Sequence, residues 1–527
     1  MRHKGIRILG LALTLFMLVG LLPAAVMAET AEPEIKTIYI THTNDTHGRV
    51  IGDDAPGEDG KPVDDGVIGF ARYKGVIDAL KAANEDMVLA LDAGDATHGT
   101  NFATLSNGQS VIRLFNDMGI AAMGIGNHDF NYGFDDLQVM MTEADFPLLA
   151  ANVVKEGTTE TVFETNRIFE VGGIEIGVFG LATPETKVKS SPVNTEGLEF
   201  LDPAEVAAAQ VAELEEAGVG AIILLAHLGI DEESEFTSKY VLDQVEGIDL
   251  VIDGHSHHEI PDGELYNDSL IVMAGSYLEN IGLVSMTFTD GELTETATEH
   301  IDFMEAQQYE ADAELLASIA AIEEENERFT SVEVGELGVH LDGEREDVRS
   351  KETNLGNLIT DSMLAATGAD VVITNGGGIR ASIEAGMITM GDLLTVLPFG
   401  NMVTVIDVTG ADIKAALEFG ASDYPNPAGK FPHVANLTYE LVSQDDETYG
   451  VQNIMVGGEP LDEAQSYTLA TNDFMAIGGD GYTMFEGKEQ LMLQGLMVDI
   501  LRDYIVELLE SGEPLEYSTD GRITVVE

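Results

Sequence analysis

The chain has 527 residues, 44% of them hydrophobic, with 94 acidic against 25 basic side chains, a formal net charge of −69 and no cysteine. That length exceeds one ordinary core and implies two or three domains, two being our working number, while the missing cysteine excludes disulfides, thiolate metal sites and a lipidated cysteine. The acidity opposes nucleic-acid backbone and anionic membrane as partners, and it fits a saline habitat in which screening relieves self-repulsion.

In chain order, Met1 to Ala28 reads as a signal peptide: Arg2, Lys4 and Arg7 give a basic start, Ile8 to Leu22 an apolar stretch, and Val26-Met27-Ala28 a small-residue cleavage site. No later segment approaches the roughly 20 continuous apolar residues of a spanning helix, so a soluble, unanchored, exported protein is expected, extracellular or periplasmic. From Ile35 to about Phe303, short β-rich runs alternate with helical patterns, the mark of a layered α/β domain over 29–304. The acidic, Gly- and Pro-containing stretch Gly52 to Gly66 reads as a solvated loop, since its spacing is not that of an EF-hand. Glu305 to Phe329, with Leu315, Leu316, Ile319 and Ile322 at helical spacing, predicts an exposed helix joining two domains across 305–330. A second α/β pattern fills 331–527, with an amphipathic helix near Gln494 to Leu509.

Several of the N-terminal runs end in a polar cluster, as expected where open α/β sheets build sites from loops at one edge. Asp45 and His47 form a D-x-H pair after a strand; alternate residues of an extended chain point the same way, so both could reach one ion. Asp95 follows Gly94, Asn127 opens GNHD, His227 ends a hydrophobic run, and His255 and His257 lie in GHSH. These seven N/O ligands in five loops favour two divalent ions, Mn, Zn or Co, with Fe also compatible, over a pure calcium cage. With Asp95 bridging, Asp45, His47 and His257 would serve one ion and Asn127, His227 and His255 the other. His98 and His258 match no ligand position and read as ordinary polar residues.

The order D-x-H, GD, GNHD, lone His, GHSH resembles the calcineurin-like metallophosphoesterases. The resemblance implies a four-layer αββα sandwich and the same ligand partition. It also implies that His128 of GNHD stabilises the transition state or protonates the leaving oxygen, and Asp129 beside it is carried as a second catalytic candidate. Two such ions could activate a hydroxide and polarise phosphoryl oxygens for in-line attack. The C-terminal half holds RSKETNLGNLITD from Arg349, NGGGIR from Asn375, LPFGN from Leu397 and NDFMAIGGDGY from Asn472, which resemble the C-terminal domain of the 5′-nucleotidase family. By that likeness Phe399 and Phe474 sandwich a base, Asn375 and Asn401 contact the nucleoside, and Asp480 accepts from ribose hydroxyls. The glycines around Gly377 would let backbone amides approach an anion, and Arg380 would offer paired donors to a phosphate or hold the loop; in a chain so short of cations Arg349 stands out with it as a substrate-binding candidate. The likeness further implies a domain rotation that brings metals and clamp together.

One departure stands out. Family members acting chiefly as 5′-nucleotidases often carry an acid three residues after the catalytic histidine, whereas this chain has Asn131 in GNHDFNYG. That string resembles the 2′,3′-cyclic-nucleotide phosphodiesterase branch, many of whose members also cleave 3′-nucleotides. The expected activity is therefore 5′-nucleotidase, with the cyclic phosphodiesterase/3′-nucleotidase or UDP-sugar hydrolase as alternatives. A non-catalytic nucleotide-binding receptor is the alternative of another class, disfavoured by retention of every metal ligand.

Overall fold

The computed structural model of the chain describes residues 33–53, 66–190, 192–231, 234–444, 448–511 and 513–526. The expected leader and most of the 52–66 loop lie outside the described residues. In the N-terminal half the apolar runs form two six-stranded sheets. The first has the spatial order Glu292–Asp302, Asn280–Thr289, Ile35–Thr43, Val88–Asp92, Ala122–Gly124, Leu148–Leu149, parallel from Ile35–Thr43 onward. The second runs Glu264–Tyr266, Ser269–Val272, Leu250–Ile252, Ala221–His227, Ile174–Ala182, Asn166–Val171, with its four central strands parallel.

The period of two along each strand decides which side chains fill the space between the sheets. Ile38, Ile40, Leu89 and Leu91 of the first sheet meet Ile176, Val178, Ile223 and Leu225 of the second in one buried cluster. Burying each such side chain contributes about 1.5–3 kcal/mol. The outer face of the first sheet is covered by helices Phe70–Asn84, Gln109–Met118 and Phe134–Glu143, that of the second by Pro203–Ala217 and Ser238–Leu242. The expected αββα sandwich results.

The joining segment differs from expectation. A short helix Phe303–Ala306 and a turn precede the long helix, which spans Ala313–Thr330 and is capped by Asp312 accepting from the Leu315 amide at 2.8 Å. Leu315 and Ile319, one turn apart, are buried in the outer core of the N-terminal half, so this helix is docked rather than free; Leu316 points away, 49% exposed. An apolar i, i+4 pair of this kind is stable only when covered.

The C-terminal half is built on a five-stranded sheet ordered Pro432–Ala435, Val371–Asn375, Ser466–Asn472, Met402–Thr409, Gln490–Leu496. Helices Asn354–Thr367, Met390–Val396 and Met497–Leu508 cover one face. Gly410–Gly420 and a four-stranded sheet carrying Tyr439 and Leu441 cover the other. No helix among the described residues is long and apolar enough to cross a membrane.

Candidate active site

The parallel strands of the two N-terminal sheets deliver the sequence-predicted ligands at their carboxyl ends. Asp45 and His47 follow Ile35–Thr43, Asp95 follows Val88–Asp92, Asn127 follows Ala122–Gly124, His227 ends Ala221–His227, and His255 and His257 follow Leu250–Ile252. The D-x-H pair is not extended, contrary to expectation. Asp45 and His47 have φ of 48° and 46°, Asp95 55°, His255 73° and His257 58°, all in the left-handed region that non-glycine residues seldom occupy. A backbone ladder holds the first two loops there: the amides of Asp45, His47 and Gly48 donate to the carbonyls of Gly94, Asp95 and Ala96 at 2.9, 3.0 and 2.9 Å. Five ligand candidates sharing an unfavourable backbone state mark a site where side-chain direction outweighs local preference.

Two groups of ligand atoms converge, Asp45 with His47 and His257, and Asp45 with Asp95 and His227, each within 4.8 Å. Asp45 belongs to both groups. The ring tautomers fit a cation. His227 Nδ1 donates to the Ala93 carbonyl at 2.8 Å and His47 Nδ1 to the His98 carbonyl at 3.1 Å, so each ring turns an Nε2 lone pair inward, the usual arrangement of a metal-ligating histidine. His227 Nε2 is buried with no hydrogen-bond partner, 3.1 Å from Asp95 Oδ2. His47 Nε2 and His257 Nε2 lie 3.3 Å apart, with Asp45 Oδ1 3.4 Å from the latter. Lone pairs facing one another and facing carboxylates need a positive charge between them. Burial alone would push the His227 imidazole down, yet Asp95 and Asp45 push it up to about 10, so that without an ion a proton on Nε2 takes the place of the positive charge the two carboxylates require. His255 completes the edge, with Nδ1 2.8 Å from Asn127 Oδ1 and Nε2 3.3 Å from Glu185 Oε2.

His128 and Asp129 separate sharply. His128 lines the cleft, its amide donates to Asp95 Oδ1 at 2.6 Å, and burial holds its imidazole well below the usual value. Asp129 is corrected from catalytic candidate to bracket. It is fully buried, and its carboxylate accepts from the amides of Asp95, Thr97 and Gly126 and from the Thr97 hydroxyl at 2.7–3.1 Å. With its oxygens occupied in pinning the GD and GNHD loops together, no lone pair is turned toward a substrate.

Across the cleft stand the residues of the C-terminal half. The cleft, of about 580 Å³, is lined by Asp95, Asn127, His128, His255 and His257 from one half and by Arg345, Arg349, Asn375, Gly377, Arg380, Phe399, Asn401, Phe474 and Asp480 from the other. Among the described residues none of the three arginines forms an ion pair. Instead Arg345 donates to His257 Nδ1 at 3.2 Å, Arg380 bonds Tyr277 and its guanidinium lies 5.4 Å from the Phe399 ring centre. Burial, then the neighbouring Arg345 and Arg380, pushes Arg349 down to about 9. Three guanidiniums gathered with no carboxylate at ion-pair distance, in a chain of net charge −69, can receive an anion.

Part of the glycine-rich loop is tied within its own half. The amides of Gly376 and Gly377 donate to the carbonyls of Phe431 and Gly429, both at 2.7 Å, and that of Arg380 to Val396 at 3.0 Å, so they are not turned to an anion. A Cβ on Gly376 would collide with the Val348 carbonyl; the glycine permits the close approach that sets Arg349 beside Arg380. The polar clamp residues are likewise tied within their own half. Asn375 Nδ2 donates to Asp480 Oδ2 at 2.7 Å and Asn401 Nδ2 to Asp473 Oδ1 at 3.0 Å.

Two family models match the chain: the calcineurin-like phosphoesterase over residues 38–259 and the 5′-nucleotidase C-terminal domain over 330–487. Among similar solved structures, a 5′-nucleotidase precursor from Thermus thermophilus is 32% identical with a TM-score of 0.80, covering 93% of this chain and 99% of that one. The chain belongs to the 5′-nucleotidase family. Protein UshA of Escherichia coli is 28% identical, with 97% of each chain covered. The trifunctional nucleotide phosphoesterase YfkN of Bacillus subtilis is 34% identical over 93% of this chain, which spans 35% of that protein's length. As a member of the 5′-nucleotidase family with a calcineurin-like domain, the protein is a metal-dependent phosphoester hydrolase.

Within this 5′-nucleotidase-family site the sequence reading missed several residues. His98, set aside as an ordinary polar residue, is buried; its ring lies 4.9 Å from Phe399 and 5.8 Å from His128. Tyr277, with φ 59°, packs 5.6 Å from His47 and 5.1 Å from the Arg49 guanidinium. Burial would raise its hydroxyl, but Arg380, Arg345, Arg349 and Arg49 bring it below the usual tyrosine value. Arg345 and Glu185 were missed too. Arg345 could have been found by asking where the few cations of so acidic a chain sit, because it lies four residues before Arg349.

Proposed function

We propose that this protein is an exported two-metal nucleotide phosphohydrolase that releases phosphate from nucleoside 5′-monophosphates. The observation that carries the reading is the meeting, across one cleft, of the inward-facing carboxylate–imidazole cluster and the three unpaired guanidiniums. Similarity to proteins named 5′-nucleotidase supports the nucleotide class. Asp45, His47 and His257 would hold one divalent ion and Asn127, His227 and His255 the other, with Asp95 between them. When bound, such ions supply Lewis acidity toward phosphoryl oxygens and lower the pKa of water.

This chain's own residues do the rest. Arg345, Arg349 and Arg380 bind and orient the phosphate, Phe399 and Phe474 flank the base, and Asp480 accepts from the ribose. His128 serves the oxygens of the reacting phosphate. Holding base and phosphate at both ends turns a bimolecular encounter into an oriented one. Export is proposed from the basic start, apolar stretch and Val26-Met27-Ala28 of the leader. A second reading, 2′,3′-cyclic-nucleotide phosphodiesterase with 3′-nucleotidase activity, is favoured by one observation: Asn131, an amide, faces His128 where an acid would otherwise pair with it.

The test is phosphate release after chelation and Mn or Zn add-back at high salt, with 5′-AMP, 3′-AMP, 2′,3′-cyclic AMP and UDP-glucose in parallel. Metal-restored release from 5′-AMP is expected. Ring opening of the cyclic nucleotide without 5′-AMP hydrolysis would transfer the assignment to the second reading, and binding without turnover would reject both.

A further inference from the structure

We infer that His98, in the N-terminal half, is a positioning residue for the nucleobase: it backs one face of the Phe399 ring of the C-terminal half, so that a base stacks at full strength on the other face only while the two halves meet. The inference rests on the nucleotide phosphohydrolase reading and on the place that reading gives Phe399.

His98 is fixed from its own side. In the loop that follows the strand Val88–Asp92, the Thr97 amide and hydroxyl donate to Asp129 Oδ1 at 3.1 and 2.7 Å, and the Tyr132 hydroxyl donates to the Thr97 carbonyl at 3.2 Å. Gly99 comes next with φ 140°, where a Cβ would stand 2.6 Å from the His47 carbonyl oxygen, so the loop passes there only as glycine. His98 itself is 2% exposed, with the Tyr132 ring 5.4 Å away on its own half.

Toward the other half, the His98 ring lies 4.9 Å from that of Phe399 at an interplanar angle of 20° and bonds the Pro398 carbonyl. The His128 ring is 5.8 Å from each of them, at 11° to His98 and 31° to Phe399. Three rings in a column would set the outer two about 7 Å apart at van der Waals contact. No pair is that far apart, so the imidazoles cover one face of Phe399 only. The Arg380 guanidinium, 5.4 Å from the ring centre, stands beyond direct stacking contact. Phe399 remains half-buried and lines the cleft together with Phe474.

A phenylalanine at the tip of a loop has two side-chain torsions to lose when a base lands on it. Packing against a fixed ring removes that freedom beforehand, and preorganisation of this kind appears as affinity. Because the backing ring belongs to the opposite half, a phosphate ester that carries a base favours the facing arrangement, whereas a bare sugar phosphate does not. Base recognition and the meeting of the halves are thereby coupled through one aromatic pair.

The test compares kcat/KM for 5′-AMP with that for ribose 5-phosphate, which lacks only the base, in wild type, His98→Leu, Phe399→Leu and the double variant. The ratio should fall about 2- to 12-fold in His98→Leu, the range an offset aromatic pair supplies. Where Phe399 is already leucine, His98→Leu should lower it no further. His98→Phe, which keeps a flat ring, should restore most of the ratio. The carbonyl that accepts from His47 Nδ1 is backbone and survives substitution, so metal content should stay constant. Equal losses on both substrates, a further loss in the double variant, or a fall in bound metal overturns the inference. If His98→Leu does not fold, His98→Gln replaces it in the same cycle. Absence of wild-type turnover on 5′-AMP rejects the substrate reading instead, and adenosine affinity by calorimetry then decides: binding weakened about 2- to 12-fold in His98→Leu upholds the role of His98, and equal affinity overturns it.

Discussion

The two halves that face each other across the cleft are built on opposite plans. In the metal half, acids and imidazoles come from five loops at the ends of parallel strands, five of them in left-handed backbone conformations, laced by backbone ladders and by the Asp129 bracket. In the clamp half, Arg345, Arg349 and Arg380 have no ion-pair partner among the described residues, and glycine packing does the positioning. The first region concentrates negative charge that a cation must neutralise; the second concentrates positive charge that an anion must neutralise. Neither is electrostatically complete alone, and each lacks what a metal-bound phosphate provides. The sharpest break in this comparison is Asp95→Asn, which removes one charge from the first region. It should empty at least one ion position and lower kcat/KM about 10³-fold or more, several kcal/mol at 1.36 kcal/mol per tenfold. Elemental analysis beside kinetics checks it; full metal content with full activity would take Asp95 out of the ligand set.

The clamp half has its own buried imidazole, and there the protonation sign is reversed relative to His227. Burial brings His433 down to about 4 from 6.5; its ring bonds the Val348 carbonyl at 2.7 Å and so steadies the segment that leads to Arg349. Its folded-state value is below its unfolded one, so between those values the unfolded chain binds more protons. Stability from this group is present above pH 6.5 and is lost as pH falls toward 4, by on the order of 3 kcal/mol. Denaturant titrations of wild type and His433→Gln at several pH values should show a flatter acid limb in the variant. A parallel loss in both would assign the acid limb to other groups. Next in size is Arg380→Ala, which removes charge-assisted bonds of about 1.5–3 kcal/mol. It should lower kcat/KM some 10- to 100-fold for 5′-AMP and for nitrophenyl phosphate alike, with metal content unchanged.

How much of this was legible in the sequence follows the same division. The candidate ligands were readable because hydrophobic runs ending in Asp, His or Asn repeat, and strand ends are where such sheets place side chains. Their backbone state was not readable, since αL at Asp45 and His47 is held by a ladder to a loop remote in sequence, and the His255 amide donates to the remote Asp45 carboxylate at 3.0 Å. Asp129 was misread because a buried bracket and a catalytic acid share one letter; four donors converging on it from three positions decide between them. NGGGIR was readable as a close-approach loop, but not the approach of the Val348 carbonyl to Gly376, which comes from a segment some thirty residues away. His98, Tyr277 and Glu185 carry no motif. Their roles come from the packing of one half against the other, or of a loop against a ligand, which no local pattern encodes.

Phe399 tests whether the clamp belongs to the substrate or to the interface between halves, since its ring meets both the cleft and His98. Stacking on a base is worth about 1–3 kcal/mol. If that is its function, Phe399→Ala should raise KM for 5′-AMP about 5- to 100-fold and leave nitrophenyl phosphate nearly untouched. Equal losses on both substrates would assign the ring to docking against His98.

The smallest expected effect separates the halves most directly. Asn101 belongs to the metal half, at the start of the short helix Asn101–Thr104, and its Nδ2 donates to the Gly391 carbonyl at 2.8 Å and to Thr395 Oγ1 at 3.1 Å in the clamp half. The Gly391 carbonyl also accepts from Thr395 Oγ1 at 2.8 Å, so Asn101→Ala leaves it partnered and removes only the two bonds that Asn101 makes across the interface. Each such bond contributes about 0.5–1.5 kcal/mol, so the loss is at least roughly 2- to 12-fold in any equilibrium between facing and separated halves. If the facing arrangement is one of two populated states, kcat/KM for 5′-AMP should fall by that factor while metal content and the unfolding midpoint of the metal half stay fixed. If the halves form one rigid body, the same free energy should appear in the unfolding midpoint and not in the rate. Measuring both on one variant therefore tells whether the two electrostatically incomplete regions are assembled once, in folding, or anew in each turnover.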